Sequence, residues 1–331
     1  MMIKFFLNII IVSSLFAESQ VGTSSANFLG IGVGSRAIGM GGAYSSIYDD
    51  PSAIYWNPGA IARFENDKFL ISNVSWLIDT QIYFSTYIKK MQDKSLGLYW
   101  TYLDYGEEEI TTLDNQNGTG LFWGASDLVF GAMYGLNLTD RFSFGGGVKY
   151  INQKIYNESS STLAIDMGLL YTDTNDKFNI GMSISNVGID MRLSGKDLYQ
   201  SIDLDPDNLG NNETIIANLN TDQFPLPIFY RMGVSMKSRI SENLTFLSSF
   251  DAVIPSDDVE HLNIGFELSY FEKVFIQCGY REIGKADSEQ SFTLGMGTKM
   301  YLLGLDFSLN YAYQDFGIFG YVPHIDFTFN F

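Results

Sequence analysis

Apolar and polar residues alternate one by one along much of the chain, a pattern typical of β-strands with one apolar and one polar face. In 262–270, Leu, Ile, Phe, Leu and Tyr alternate with Asn, Gly, Glu and Ser, and 304–313 and 324–331 repeat the pattern. These segments approach the ~9–11 residues that a tilted transmembrane strand needs. The alternation therefore predicts membrane-spanning β-strands.

Fourteen strands are predicted in this way, and their connections alternate in length. The turns after even-numbered strands are tight, whereas the loops after odd-numbered strands are longer, with the first hairpin near Ile78 as the short exception. This alternation of short and long connections is typical of outer-membrane barrels, which have short periplasmic turns and longer outer loops. The predicted strands are 68–77, 80–90, 95–105, 121–136, 141–152, 160–172, 177–188, 226–238, 243–254, 260–271, 273–281, 289–300, 303–314 and 322–331.

Composition supports an antiparallel transmembrane β-barrel over the alternatives. Aromatic residues make up 15% of the chain, and no apolar run after residue 17 approaches the ~20 residues of a spanning helix. A soluble sandwich is not expected to alternate short and long connections, and it would leave a large apolar face exposed. The chain ends in alternating aromatics at Phe331, which resembles the signal read by the barrel assembly machinery. The sequence therefore predicts an all-β chain in the cell outer membrane.

Three regions are predicted along the chain. Residues 1–17, with Lys4 ahead of an apolar run that ends at Ala17, read as a signal peptide for export. Residues 18–66 form a separate amino-terminal segment, and 67–331 form the barrel. The single cysteine, Cys278, excludes an internal disulfide framework and is expected to be a small buried hydrophobe.

The amino-terminal segment differs from the rest because it is rich in glycine and helix signals. Six glycines lie between positions 30 and 42, and Asp50 followed by Pro51 indicates a short helix that ends near Trp56. About eight strands already give a barrel interior that wall side chains just fill, so fourteen leave a lumen. We expect residues 18–66 to be a plug inside that lumen, with glycines allowing its backbone to pass close to the wall.

Four polar residues of the segment are the candidate lumen residues, namely Arg36, Asp49, Asp50 and Asn57. Inside a barrel they need hydrogen-bond or ion-pair partners, so we expect them to hold the plug, and gating or ligand contact is the functional alternative. No catalytic, metal or cofactor site is predicted, and the chain is not expected to be an enzyme. The net charge of 20 − 38 = −18 argues against nucleic acid. Lipid and lipopolysaccharide are the expected surroundings.

The segment Gly34–Ala62, GSRAIGMGGAYSSIYDDPSAIYWNPGAIA, resembles the amino-terminal signature of the PorV/PorQ family, a branch of the FadL-like group of fourteen-stranded barrels. Phe178–Gly188 is similar to the mid-barrel strand of that family, and Leu226–Val234 to the strand after its largest loop. One departure is Asn57-Pro58-Gly59-Ala60, where the family more often places Ala before Gly. The resemblance covers nearly the whole mature chain and implies a barrel with an inner plug.

The resemblance leaves two functions open. The first is an accessory role in type IX protein secretion, in which outer loops such as 189–225 bind a cargo signal domain or cap the translocon. The second is a FadL-like channel for uptake of small hydrophobic compounds such as fatty acids, with the plug as gate. Uptake predicts an apolar pocket continuous from the outer loops to the plug and a break or bulge in an early strand. Secretion predicts an occluded lumen and an outer face that binds a partner.

Overall fold

The computed structural model describes residues 22–203, 215–286, 288–302 and 305–331. The predicted signal peptide, 1–17, lies outside the described residues. None of the helices in the described part of the chain has the length and apolarity that a membrane-spanning helix needs.

Fourteen antiparallel strands form one closed barrel, in which each strand pairs with its two neighbours. The wall closes where the first strand pairs with the last, from Lys68 opposite Asn330 to Val74 opposite His324. This pairing leaves the sheet without a free edge. The strands are β1 Lys68–Ser75, β2 Gln81–Met91, β3 Lys94–Glu109, β4 Phe122–Asn137, β5 Phe142–Ile155, β6 Glu158–Thr172, β7 Phe178–Gly188, β8 Phe229–Ser241, β9 Leu244–Pro255, β10 His261–Tyr270, β11 Val274–Ile283, β12 Phe292–Leu302, β13 Leu305–Asp315 and β14 Tyr321–Asn330.

The alternation of side chains separates an apolar outer wall from a polar lumen. In β10, Leu262 and Leu268 are exposed on the outside, whereas Asn263 and Glu267 are buried inside. Exposed Ile, Leu, Met, Phe and Tyr recur on the outer face around the barrel. Such a face is stable against lipid, which confirms the predicted transmembrane barrel. Cys278 lies half-buried on this outer face, so the expectation of a buried position is wrong.

The barrel has two unlike ends. Strands join by short turns at the end where β1 begins, and by longer connections at the other end, of which the longest lies between β7 and β8. Short turns face the periplasm in outer-membrane barrels, so we call these the periplasmic and outer ends. In the longest connection, short strands Tyr199–Ile202 and Ile215–Asn218 pair with each other.

The described part of the amino-terminal segment, residues 22–66, contains four short helical turns and no strand. They are a 3₁₀ turn Asn27–Gly30, α1 Ser35–Gly39, α2 Ala53–Trp56 and a 3₁₀ helix Pro58–Arg63. The predicted helix start at Pro51 is two residues early, because Pro51 and Ser52 form a turn before α2.

Candidate functional site

The amino-terminal segment contacts the inner wall from one end of the barrel to the other. Near the outer end, the Ala26 amide donates to Gln153 Oε1 of β5 at 3.0 Å. At the periplasmic end, Arg63 Nη1 donates to the carbonyl oxygen of Asp140 in the β4–β5 turn at 2.6 Å. Most residues from 26 to 64 are buried. The segment therefore crosses the polar lumen from the outer end to the periplasmic end.

Arg36 of α1 joins the segment to the wall through a buried ion pair. Its Nε and Nη2 donate to the two carboxylate oxygens of Glu267 in β10, at 2.6 and 2.7 Å. Its Nη1 donates to Asp49 Oδ1 at 2.6 Å. Burial alone would lower the pKa of Arg36, but the two carboxylates outweigh burial and raise it well above its ordinary value. The guanidinium is therefore permanently charged and holds two parts of the fold together.

Asp49 has a different environment from Arg36 because its side chain remains 48% exposed. Its remaining burial would raise the pKa of the carboxyl, but Arg36 outweighs this effect and holds that pKa well below its ordinary range. The carboxylate faces a cavity of about 870 Å³ at the periplasmic end, which Lys68 and Lys299 also line. Asp49 thus lies at the boundary between the segment and periplasmic solvent.

Asp50 and Asn57 organise the backbone of the segment from inside it. Asp50 Oδ1 accepts hydrogen bonds from the Ser52 amide at 2.9 Å and from its hydroxyl at 2.5 Å, which fixes the turn before α2. Asn57 Oδ1 accepts from the Gly59 amide at 2.9 Å and so caps the 3₁₀ helix. The side-chain amide of Asn57 donates to the Ser45 carbonyl at 2.7 Å and to the Leu169 carbonyl of β6 at 2.9 Å.

Two further wall carboxylates hold the segment, and neither was singled out from the sequence. Asp251 Oδ2 of β9 accepts from the amides of Tyr44 and Ser45, at 3.0 and 2.8 Å, and from the Ser45 hydroxyl at 2.5 Å. Asp326 of β14 accepts from the Ser35 amide, at the start of α1. Acidic residues at inward positions of predicted strands are the signal that could have identified them.

A cavity of about 440 Å³ opens on the inner side of the wall at the outer end of β3, β4 and β5. Its apolar lining consists of Tyr105, Trp123, Ala125, Ile155 and Leu193 of the β7–β8 connection. Its polar lining consists of Glu108, Asp127, Gln153 and Lys154. The pairing of β3 with β4 shifts register between Asp104 and Glu107, beside this cavity. We call it the aromatic cavity.

The aromatic cavity reaches the amino-terminal segment through Gln153. This side chain lines the cavity, and its oxygen is the acceptor for the Ala26 amide. The Tyr105 hydroxyl donates to Asp127 Oδ2 at 2.8 Å, so the polar edge of the ring is bonded to another residue of the lining. The remaining surface can therefore accept a small apolar molecule.

A second outer cavity, of about 420 Å³, lies between the segment and β8 to β11. Trp56 of α2, Trp76 of the first hairpin, Phe229, Arg231 and Arg281 are among its lining residues. We call it the arginine cavity. Its lining differs from that of the periplasmic cavity, where Arg36, Asp49 and Asp50 lie.

No family model matches the sequence, and no curated protein matches it. The fold is similar to solved structures of outer-membrane channels. The toluene transporter TbuX of Ralstonia pickettii matches with a TM-score of 0.53 and 12% identity, over 91% of this chain and 98% of that chain. The monoaromatic hydrocarbon channel CymD matches with a TM-score of 0.58 and 12% identity, over 91% and 98%.

A Pseudomonas aeruginosa FadL homologue matches with a TM-score of 0.50 and 12% identity, over 90% of this chain and 97% of that chain. At such low identity the likeness concerns the fold. The chain thus has the FadL-like fourteen-strand barrel fold, and with its apolar outer wall it is a protein of the cell outer membrane. The PorV/PorQ branch and the type IX role predicted from the resemblance remain hypotheses.

Proposed function

We propose that this barrel is a channel through which small hydrophobic compounds enter across the outer membrane, with the amino-terminal segment as its plug and gate. The observation that supports this most is the aromatic cavity, which lies at the outer end and reaches the segment at Ala26 through Gln153. Its apolar lining supports uptake, which needs an apolar pocket between the outer loops and the plug. The register shift in the pairing of β3 with β4 beside the cavity also supports uptake, for which a break or bulge in an early strand is expected.

The wall contacts of the segment support its role as a plug. Arg36 is bonded to β10, Asn57 to β6 and the Ser35 amide to β14, three strands that are at least four positions apart around the barrel. A segment fixed at several points of the wall separates the outer cavities from the periplasmic cavity. Passage of a ligand therefore requires part of the segment to move.

The experiment that tests this function fills the aromatic cavity. We expect Ala125→Trp to lower uptake of radiolabelled toluene severalfold in cells that produce the protein at a fixed level, because the indole takes the space of the ligand. Ala132→Trp is the matched control, since Ala132 lies on the outward face of the same strand. Equal uptake by both variants and by cells without the protein would contradict the proposal.

The type IX accessory role remains a second candidate. It is favoured by exposed apolar side chains in the 189–225 loop, among them Ile189, Ile216 and Phe224. Residues 204–214 of that loop lie outside the described residues. Affinity purification from native outer membrane decides between the two functions, because recovery of the translocon or of secreted cargo favours the accessory role, whereas a bound hydrophobic compound without protein partners favours uptake.

A further inference from the structure

Two arginines project into the arginine cavity without a carboxylate partner. Arg231 of β8 is 5% exposed and Arg281 of β11 is 7% exposed. Among the residues that the structure describes, neither guanidinium forms an ion pair within 4.0 Å. Burying an isolated charge is costly, so buried cations are normally paired. This pair of side chains leaves positive charge uncompensated at the cavity wall.

The contacts of Arg231 explain its position only in part. Its Nη1 donates to the Ser185 hydroxyl at 2.9 Å. Its Cζ lies 4.7 Å from the ring centroid of Phe229 and 5.6 Å from that of Trp56. These cation–π contacts fix the guanidinium plane and leave its charge intact.

Arg281 is the less satisfied of the two. Its Nε is buried without a hydrogen-bond partner within the described part of the chain. The adjacent Glu282 accepts from the Ser288 hydroxyl at 2.5 Å and lies 3.5 Å from Lys285 Nζ. A buried donor without a partner is uncommon in folded proteins and marks a place where a ligand can bind.

The acidic groups at the rim of the cavity are engaged elsewhere. Asp258 Oδ2 lies 2.5 Å from Lys285 Nζ, and Asp257 accepts from the Ser24 hydroxyl. Lys285 neutralises the charge of Asp258, and its own pKa is raised, since its two acidic neighbours outweigh the effect of burial. These acidic groups are half-buried at the rim, whereas the fully buried charges of the cavity, on Arg231 and Arg281, are both positive.

We propose that the arginine cavity binds a small monocarboxylate that carries an aromatic ring or a short apolar group, with Arg231 and Arg281 as the carboxylate-binding residues. Guanidinium groups bind carboxylates with paired, charge-assisted hydrogen bonds. Trp56, Trp76 and Phe229 supply the apolar wall against which the remainder of the ligand packs. This ligand class rests on the proposed uptake function and adds to it a preference for anionic over neutral compounds.

Calorimetric titration of the whole protein in nonionic detergent tests this preference, with benzoate and its neutral analogue benzamide as probes. We expect benzoate to bind about tenfold or more tightly than benzamide, because charge-assisted hydrogen bonds are the stronger ones. Arg281→Met and Arg231→Met should each abolish the preference, and Arg281→Lys should retain part of it. Arg141→Met is the matched control, since Arg141 is exposed at the periplasmic end.

Equal binding of the two probes to the unmodified protein would overturn the proposal, even if the arginine variants failed to fold. A benzoate preference that survives in both methionine variants would also overturn it. Failure of toluene uptake in cells would count against the proposed channel without affecting the calorimetric result, so the two proposals fail separately.

Discussion

Inward-facing glycines of the wall set how closely the amino-terminal segment can approach it. A Cβ placed on Gly145 would lie 2.0 Å from the Pro58 carbonyl oxygen, and one on Gly181 would lie 1.9 Å from that of Ser45. A Cβ placed on Gly265 would likewise lie 2.2 Å from the Met40 carbonyl oxygen. Since these neighbours are backbone atoms, they cannot move aside as a side chain would. Segment and wall are therefore packed backbone to backbone.

Substitution of Gly145 tests this packing. We expect Gly145→Ala to destabilise the folded protein by about 1–3 kcal/mol, because the added methyl group overpacks the contact with Pro58. Samples are heated to increasing temperatures before gel electrophoresis. The measurement is the temperature at which the band of folded protein disappears. Gly146→Ala is the control, since Gly146 faces outward and its Cβ would meet its nearest neighbour at 3.2 Å. Equal shifts in both variants would contradict the packing argument.

Removal of the Asn57 side chain tests the capping inside the segment. Asn57→Ala leaves the Gly59 amide and two carbonyls without their partners, so we expect a loss of about 1–3 kcal/mol per buried unsatisfied group. Limited proteolysis should then cleave the segment faster. The exposed Asn66 provides the control variant Asn66→Ala. Unchanged cleavage in Asn57→Ala would show that the cap does not hold the segment.

The wall residues that bond to the amino-terminal segment were harder to predict than the polar residues of the segment itself. Arg36 and Asn57 could be singled out because polar groups in a glycine-rich segment inside a barrel must be bonded. Glu267 and Asp251 could not, because strand alternation places many polar residues inward without showing which one meets the segment. Arg231 and Arg281 likewise occupy inward positions of predicted strands, and only their burial without a carboxylate partner distinguishes them.

At the scale of elements, the barrel strands were more predictable than the amino-terminal segment. All fourteen barrel strands lie within a few residues of their predicted bounds, because a period of two is visible in each and turn residues end it. The 3₁₀ helix Pro58–Arg63 was not predicted, since its cap is a single Asn and its sequence has no helical period. The path of the segment depends on long-range wall contacts, which a local pattern does not contain.

The ion pair between α1 and Asp49 predicts a particular response to pH. Because the pKa of Asp49 is lowered in the folded protein, its stabilising effect is complete above the ordinary carboxyl pKa of about 4 and is lost as pH falls through the lowered value. The difference in unfolding temperature between the unmodified protein and Asp49→Asn should therefore stay constant from about pH 7 to pH 5 and shrink below about pH 4. A difference that disappears between pH 7 and pH 5 would contradict this account.

At the scale of the whole molecule, the fold consists of an apolar outer wall, a polar lumen and a segment that crosses that lumen. The wall and its position in the membrane could be predicted from alternation and loop phase. The two outer cavities could not, because the aromatic cavity needs Leu193 of the long β7–β8 connection beside β3 to β5, and the arginine cavity forms between the segment and β8 to β11. Their separation from the periplasmic cavity is the basis for proposing a gated channel instead of an open pore.

Ion conductance across a planar lipid bilayer tests most directly whether the segment closes the barrel. We expect the unmodified protein to give no steady conductance. A variant lacking residues 23–63 should give a steady conductance that rises with salt concentration, since fourteen strands enclose more space than wall side chains fill. Folding of the deletion variant is verified first by its mobility on gels before and after heating. A steady conductance of the unmodified protein equal to that of the deletion variant would show that the segment does not close the barrel.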